Sequence, residues 1–212
     1  MTLVIIPARM GSTRLPGKPM LEIGGMTIIS RCAAQARKAG FEPYVATDSE
    51  AIAEMFYDRG IMTGDCASGT DRVAAAAEII DPEGNHEFVI NYQGDMPFLD
   101  PEDLKAFVDR TERSMAHITT AYCAQVLVNM VPYLGHPSFE RRSFDCHIGL
   151  YGYHRNALRR FAALKQSEME KQCSLEQLRG PEHFTWCYWQ LDSMPIEINT
   201  QADLDRARSC LM

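Results

Sequence analysis

The chain has 212 residues and a formal net charge of −7, with 46% hydrophobic and 23% charged residues. That length fits one domain with a sizeable core, and the net acidity argues against a nucleic-acid partner or an anionic membrane surface. Seven cysteines, odd in number and without a Cys-x-x-Cys pair, predict reduced thiols rather than a disulfide framework or a zinc site.

The first apolar run, Val4-Ile5-Ile6-Pro7, is short, β-branched and stopped by a breaker, so it reads as a buried strand. It is far too short for a leader or a membrane span and has no basic segment before it, which predicts a cytoplasmic protein. The loop that follows carries Arg9, Gly11, Ser12, Arg14, Gly17 and Lys18, and the first acidic residue of the chain is Glu22. Cations without a nearby carboxylate, on a Gly/Ser/Thr-rich loop at a strand's carboxyl end, suit a polyphosphate. A Walker A loop is excluded, because five residues separate Gly11 from Gly17 and Pro19 follows Lys18. No Gly-x-Gly-x-x-Gly occurs here either.

Pro7-Ala8-Arg9 with Ser12-Thr13-Arg14-Leu15-Pro16-Gly17-Lys18-Pro19 resembles the nucleotide loop of the sugar cytidylyltransferases, in the CMP-Kdo synthetase (3-deoxy-manno-octulosonate cytidylyltransferase) family. The resemblance implies that Ala8, Arg9, Ser12, Arg14 and Lys18 bind the nucleotide, and that Arg9, Arg14 and Lys18 offset charge developing on its phosphates. It runs from Ile5 to Arg208.

A helical period follows over Thr27 to Lys38, with Gly40 placed to end it. Glu42 to Asp48 reads as a second strand, and Ser49 opens a helix closing near Gly60. Strands alternating with helices predict an α/β fold with a mostly parallel central sheet and helices on both faces. The resemblance implies the same, as a three-layer Rossmann-like nucleotidyltransferase fold. Asp48, at a strand's carboxyl end, is either a nucleotide contact or a capping acid at the strand–helix turn.

Ser68-Gly69-Thr70-Asp71-Arg72 opens an Ala-rich helix running to about Ile80. Ser68 or Thr70 is a good cap there, and the free N–H groups beside Arg72 could equally grip a base edge or a phosphate. The segment is similar to the family's Ser-Gly-Thr-Glu-Arg base-recognition motif, which implies nucleotide contacts at Ser68, Gly69, Thr70 and Arg72. The strand Glu87 to Tyr92 delivers Gln93-Gly94-Asp95-Met96-Pro97. A carboxylate there is a good hard-oxygen ligand for Mg²⁺. By resemblance to Gln-Gly-Asp-Glu-Pro, Asp95 is the metal ligand and a catalytic residue, and Gln93 touches the sugar; Met96 departs from the motif.

Pro101-Glu102-Asp103 starts another helix, and His117 to Cys123 another strand. Asn129 to Asp145, with Pro132, Gly135 and Pro137, reads as a loop or lid. Relatives carry a longer insertion here, so residues 125 to 155 read as a reduced sugar-binding and dimerisation subregion within one domain spanning 1 to 212. His147-Ile148-Gly149-Leu150-Tyr151-Gly152-Tyr153 is an alternating strand resembling the family's His-Leu-Gly-Ile-Tyr-Gly-Tyr, which implies sugar contacts from His147 and Tyr151. Ser167 to Glu170 and Ser174 to Gln177 are capping-box patterns. They also resemble a family segment that assigns sugar contacts to Glu170 and Gln177, with Cys173 standing in place of a glutamate.

The last helix starts around Asn199-Thr200-Gln201-Ala202-Asp203. Asn199 occupies the position of the family's second magnesium ligand, an aspartate, and reads equally as a helix cap. The resemblance thus implies an enzyme taking CTP and an acidic 2-keto-3-deoxy sugar to a CMP-sugar and pyrophosphate, with Mg²⁺ as cofactor and a homodimer as the assembly. Another acidic acceptor, or a CTP-binding relative without turnover, are the competing expectations.

Overall fold

The computed structural model describes residues 1–133, 136–173 and 175–210, with side chains described outside 125–145. In chain order the elements are β1 (Thr2–Ala8), β2 (Glu22–Ile23), β3 (Met26–Thr27), α1 (Ile28–Lys38), β4 (Tyr44–Thr47), α2 (Glu50–Met55), β5 (Gly60–Met62) and α3 (Gly69–Ile80). There follow β6 (Phe88–Tyr92), α4 (Pro101–Arg113), β7 (Ile118–Tyr133), β8 (His136–His154), α5 (Arg155–Ala163), α6 (Glu168–Cys173), β9 (Trp186–Gln190) and α7 (Gln201–Ser209). The seven-stranded sheet has the order β5-β4-β1-β6-β8-β7-β9. β8 alone runs against its neighbours, antiparallel to both β6 and β7.

Both faces of this sheet are covered, as expected when parallel strands read as continuous apolar runs. On one side Val4, Ile6 and Ile90 pack with Ile29 of α1, Phe107 of α4 and Leu204 of α7. On the other, Leu3, Ile5 and Val89 pack with Val73 and Ala77 of α3 and Leu158 and Phe161 of α5. The three-layer α/β architecture expected from the alternating elements is therefore present.

Helix ends follow local chemistry. Thr27 caps α1 by accepting from the Ser30 N–H at 3.3 Å, and Asp100 caps α4 ahead of Pro101. Thr200 and Asp203 cap α7 reciprocally. α2 is shorter than its pattern suggests: Tyr57 takes a positive φ of 49° and the chain turns back into β5. A Cβ at Gly60 would lie 2.1 Å from the Ala53 carbonyl oxygen, so only glycine lets β5 begin that close under α2. The tight Gly24-Gly25 turn, φ 55° and 73°, joins β2 to β3 as a small hairpin that the sequence reading passed over.

The expectation of a loop or lid over Asn129 to Asp145 is corrected. β7 and β8 remain paired from Ile118↔Tyr153 to Tyr133↔His136. Pro132 stands opposite Pro137 and the pairing runs one step further, to Tyr133↔His136. Past the β9 and β6 pairings, which end at Tyr122 and Leu150, the two strands continue as a two-stranded ribbon. The capping box read at Ser174 begins outside the described residues.

Gly152 of β8 sits against α4, where an added Cβ would meet the Thr111 hydroxyl oxygen at 2.3 Å. Gly152→Ala is expected to lower unfolding stability by about 1–3 kcal/mol. Urea unfolding of the double variant with Thr111→Ala should give a smaller loss than the sum of the two single ones, because the second change removes the obstructing atoms.

Candidate active site

The loop after β1 is built to hold still while exposing its cations. Leu15, 5% exposed, anchors it in the core, a burial worth about 1.5–3 kcal/mol. The Met10 carbonyl accepts from the N–H groups of Ser12 and Gly17, and Gly17 takes the left-handed conformation that ends the loop. Ala8, Arg9, Ser12, Thr13, Arg14 and Lys18 consequently line one side of a cleft at the carboxyl ends of β1 and β6.

The opposite wall is Gln93, Gly94 and Asp95. A Cβ at Gly94 would stand 2.7 Å from the Pro7 carbonyl oxygen, so glycine is what lets the Asp95 turn close onto the end of β1. Beneath it Met96 is fully buried and its carbonyl accepts from the Tyr92 hydroxyl at 2.6 Å. The Met96 position therefore serves packing. Burial, and then the charge of Asp95, push the Cys32 thiol below this turn up to about 12.

Asn199 comes from far along the chain. The Ile198 N–H donates to the Asp95 carbonyl at 2.8 Å, and this backbone bond carries Asn199 to the cleft. Lys18 Nζ lies 3.0 Å from Asp95 Oδ2 and 3.5 Å from Asn199 Oδ1, and an Arg14 guanidinium nitrogen is 3.2 Å from the same amide oxygen. Asn199 Nδ2 donates to Glu197 Oε2 at 3.3 Å. Glu197 was not anticipated; burial, then the charge of Asp95, push its carboxyl up.

The third wall is the start of α3. Ser68 is the cap, accepting from the Asp71 N–H at 3.2 Å, and Gly69 and Arg72 line the cleft. Arg72 is 3% exposed and is held by Thr63, Gly64 and Asp48. The first-turn N–H groups of Gly69 and Thr70 donate to the two carboxylate oxygens of Glu176 at 2.9 and 2.8 Å. Glu176, also missed by the sequence reading, fills the anion site that a helix N-terminus offers. Its signal was an acid inside the Ser174 to Gln177 pattern.

The cleft thus brings together Ala8, Arg9, Ser12, Arg14, Lys18, Ser68, Gly69, Arg72, Gln93, Asp95 and Asn199. Others expected at the site stand behind it. Asp48 accepts from Arg72 and from the Met10 N–H, and Thr70 is fully buried with Asn91 on its hydroxyl. Glu170 is buried against both Nε and a terminal nitrogen of Arg179, at 3.0 and 2.8 Å. Gln177 is buried beside the Tyr153 hydroxyl. Tyr151 is buried and stacks on His147, which faces a separate hollow with Thr120, Tyr122 and Tyr188. Glu170, expected as a sugar contact, belongs to a buried clamp in which Arg179 bridges it to Asp71 and Ser68 at the head of α3.

Known proteins match this arrangement. A family model described as cytidylyltransferase matches residues 3–138. A 3-deoxy-manno-octulosonate cytidylyltransferase of Methylorubrum extorquens is 40% identical, with 99% of this chain and 96% of the relative covered. One from Bartonella henselae is 36% identical, with 99% and 98% covered. Among solved structures, CMP:2-keto-3-deoxy-manno-octonic acid synthetase complexed with CTP superposes with a TM-score of 0.79 at 27% identity, covering 99% of this chain and 98% of that one. The alignment to the Methylorubrum protein spans 242 positions, 30 more than the 212 residues of this chain, so the relative carries residues without a counterpart here.

The clamp makes a stability prediction. Burial alone would raise the Glu170 carboxyl, but hydrogen bonds from Arg179 outweigh it and hold it below its ordinary value. A depressed folded-state value stabilises the fold above the unfolded value, roughly 4.3, and that contribution is lost as pH falls below it. Arg179→Met is expected to cost about 3–5 kcal/mol at neutral pH by orphaning two acids. The gap to the unchanged protein should narrow in urea unfolding as pH falls from about 5, through the unfolded value, to about 3; a constant gap across that window would remove the clamp's ionic role.

Proposed function

The chain belongs to the cytidylyltransferase family, and we propose that its reaction takes place in the cleft between the β1 loop and the Asp95 turn. The enzyme is a CTP-dependent nucleotidyltransferase that moves CMP from CTP to 3-deoxy-manno-octulosonate, releasing pyrophosphate. The observation that carries the site assignment is the convergence of Arg9, Arg14 and Lys18 on one wall with Asp95 facing them.

In this reading the triphosphate lies along the β1 loop, where guanidinium and ammonium donors match its oxygens. Ala8 and Ser12 set the backbone approach, and the base end reaches Ser68, Gly69 and Arg72 at the head of α3. Asp48 and Thr70 hold that end from behind. Gln93 faces the acceptor sugar. The anomeric hydroxyl attacks the α-phosphorus as pyrophosphate departs in line, and Arg14 and Lys18 stabilise the charge that develops on the phosphoryl oxygens. His147 and its hollow on the β7–β8 face stand as the outer part of the acceptor side.

A nucleotidyl transfer of this kind implies Mg²⁺. The donor chemistry fits: Asp95 offers a carboxylate in the cleft wall, and Oδ1 has no hydrogen-bond partner among the described residues. Magnesium is commonly held by one or two carboxylates together with substrate phosphates. When bound it supplies Lewis-acid neutralisation of phosphoryl charge. The chain's own residues do the rest: they bind the two substrates, orient them and carry the fixed positive charge.

The free cysteines suit a reducing compartment, which supports a cytoplasmic enzyme. No described helix is long and apolar enough to cross a membrane. One domain over 1 to 212 is the organisation proposed, with the 125–155 ribbon region as its acceptor and pairing subregion. A two-stranded ribbon leaves both outer edges unpaired, a template for another copy. Homodimerisation is therefore proposed, and light scattering at assay concentration is expected to give the mass of two chains.

Arg14→Ala and Lys18→Ala are each expected to lower kcat/KM by about 10²–10³, the usual loss for one charge-stabilising donor. The assay is pyrophosphate release with CTP, Mg²⁺ and 3-deoxy-manno-octulosonate. Unchanged rates in both variants would move the phosphates off this loop.

A further inference from the structure

Gln93 lines the cleft, and its side-chain amide has no hydrogen-bond partner among the described residues. A long side chain with an unheld amide would sample several rotamers. Packing sets its direction instead. A Cβ at Gly149 would lie 3.0 Å from Gln93 Cγ and 3.2 Å from Gln93 Cβ. At the far end, a Cβ at Gly69 would lie 3.0 Å from Gln93 Nε2 and 3.2 Å from Oε1. The side chain therefore runs from the end of β6 to the first turn of α3, pressed against a glycine at each end.

Gly149 comes to that place through a bulge in β8. Thr120 pairs with Tyr151 but Ala121 pairs with Ile148, so Gly149 and Leu150 have no counterpart on β7. A bulge bends its strand and re-aims what lies beside it. On the other side Leu150 pairs with Tyr92, and the Gly149 carbonyl accepts from the Gln93 N–H at 3.2 Å. That bond keeps Gln93 from stepping back from an added methyl group. Its Cγ could swing away only by rotation about χ1, which would carry the amide off α3. We propose that Gly149 is a positioning residue for the transfer reaction: having no side chain, it lets the Gln93 stem lie against β8 and keeps the amide over the head of α3.

This rests on the reading of Gln93 as an acceptor contact and adds how that contact is aimed. Gly149 does not line the cleft itself, so it acts through Gln93. An amide aimed in advance gives up less rotamer freedom when a substrate binds. Gly69 does the same for the far end, but an added Cβ there would also stand 3.3 Å from Glu176 Oε1. Gly149 is therefore the position at which the aim of Gln93 can be changed by itself.

Initial rates of the full chain with CTP, Mg²⁺ and 3-deoxy-manno-octulosonate test this. Gly149→Ala is expected to raise the acceptor KM about tenfold, the loss of roughly one neutral hydrogen bond, with the CTP KM unchanged. Gln93→Ala should give the same rise, and adding Gly149→Ala to it should change nothing more. A further rise in the double variant, or an equal rise in the CTP KM, would overturn the inference, because the glycine would then act on the cleft at large. An unchanged acceptor KM in Gly149→Ala, with Gln93→Ala impaired, would overturn it and leave the acceptor reading intact. An unchanged acceptor KM in Gln93→Ala would overturn both. Gln93→Asn makes the same test with Gly149 in place. Its amide is kept but stops short of α3, so the same rise is expected, and an acceptor KM equal to that of the unchanged protein would overturn the inference.

Discussion

Lys18, held between the Asp95 carboxylate and the Asn199 amide, ties together three segments that are remote in sequence. The pair is not what holds the fold together. With side chains 16% and 23% exposed, an ion pair of this kind contributes roughly 0–1 kcal/mol. The convergence is enforced by harder constraints: the Leu15 anchor, the close passage of Gly94 over Pro7, and the backbone bond from Ile198 to Asp95. These bring a cation and its acceptors together whether or not the contact is itself favourable. The ammonium is then fixed in the cleft wall, its orientation set in advance by Asp95 and Asn199.

The head of α3 shows the opposite balance. There the charges are buried, so each must be matched or the helix start would come apart. Arg179 is 4% exposed and answers Asp71, Glu170 and Ser68 together; Glu176 takes the two N–H groups that Ser68 leaves. The head of α3 is accordingly tightly hydrogen-bonded and net acidic, while the β1-loop wall of the cleft is open and cationic. Because the anion position at the helix start is filled by Glu176, a phosphate has no reason to bind there. That leaves the cationic β1 loop as the anion-binding wall of the cleft.

What the sequence displayed and what it hid divide along the range of the interactions. The β1 run, the starts of α4 and α7 and the Gly94 turn are set by neighbours within a few residues, and all were legible. The loop cations and Asp95 were legible because their chemistry is unusual for their position. Glu197 and Glu176 were not, since nothing local distinguishes an acid that meets Asn199 or α3 only after folding. Nor did the motif show that Glu170 turns to Arg179 and Gln177 to the Tyr153 hydroxyl, since a motif gives which residues are present and not what they meet after folding. The ribbon was misread because Pro132 and Pro137 are breakers singly, whereas their opposition across the ladder is a property of register.

The charge of the substrates explains why a cation-rich wall is needed in an acidic protein. A nucleoside triphosphate and a carboxylate sugar repel one another, and the attacking hydroxyl must approach the most negative part of its partner. Arg9, Arg14 and Lys18 face that repulsion with Asp95 as the acid of the wall that keeps an unshared edge. Removing Asp95 would leave the side-chain cations alone against more negative charge than they carry. Keeping it, and leaving one oxygen unshared, lets a divalent ion add more positive charge than the carboxylate subtracts. The Asn199 amide oxygen accepts from Arg14 and Lys18 and, being neutral, orients both without cancelling their charge. The cleft lining sets Arg9, Arg14, Lys18 and Arg72 against Asp95 and Glu176 in a chain of net charge −7, and a basic cleft in an acidic molecule focuses anions into itself.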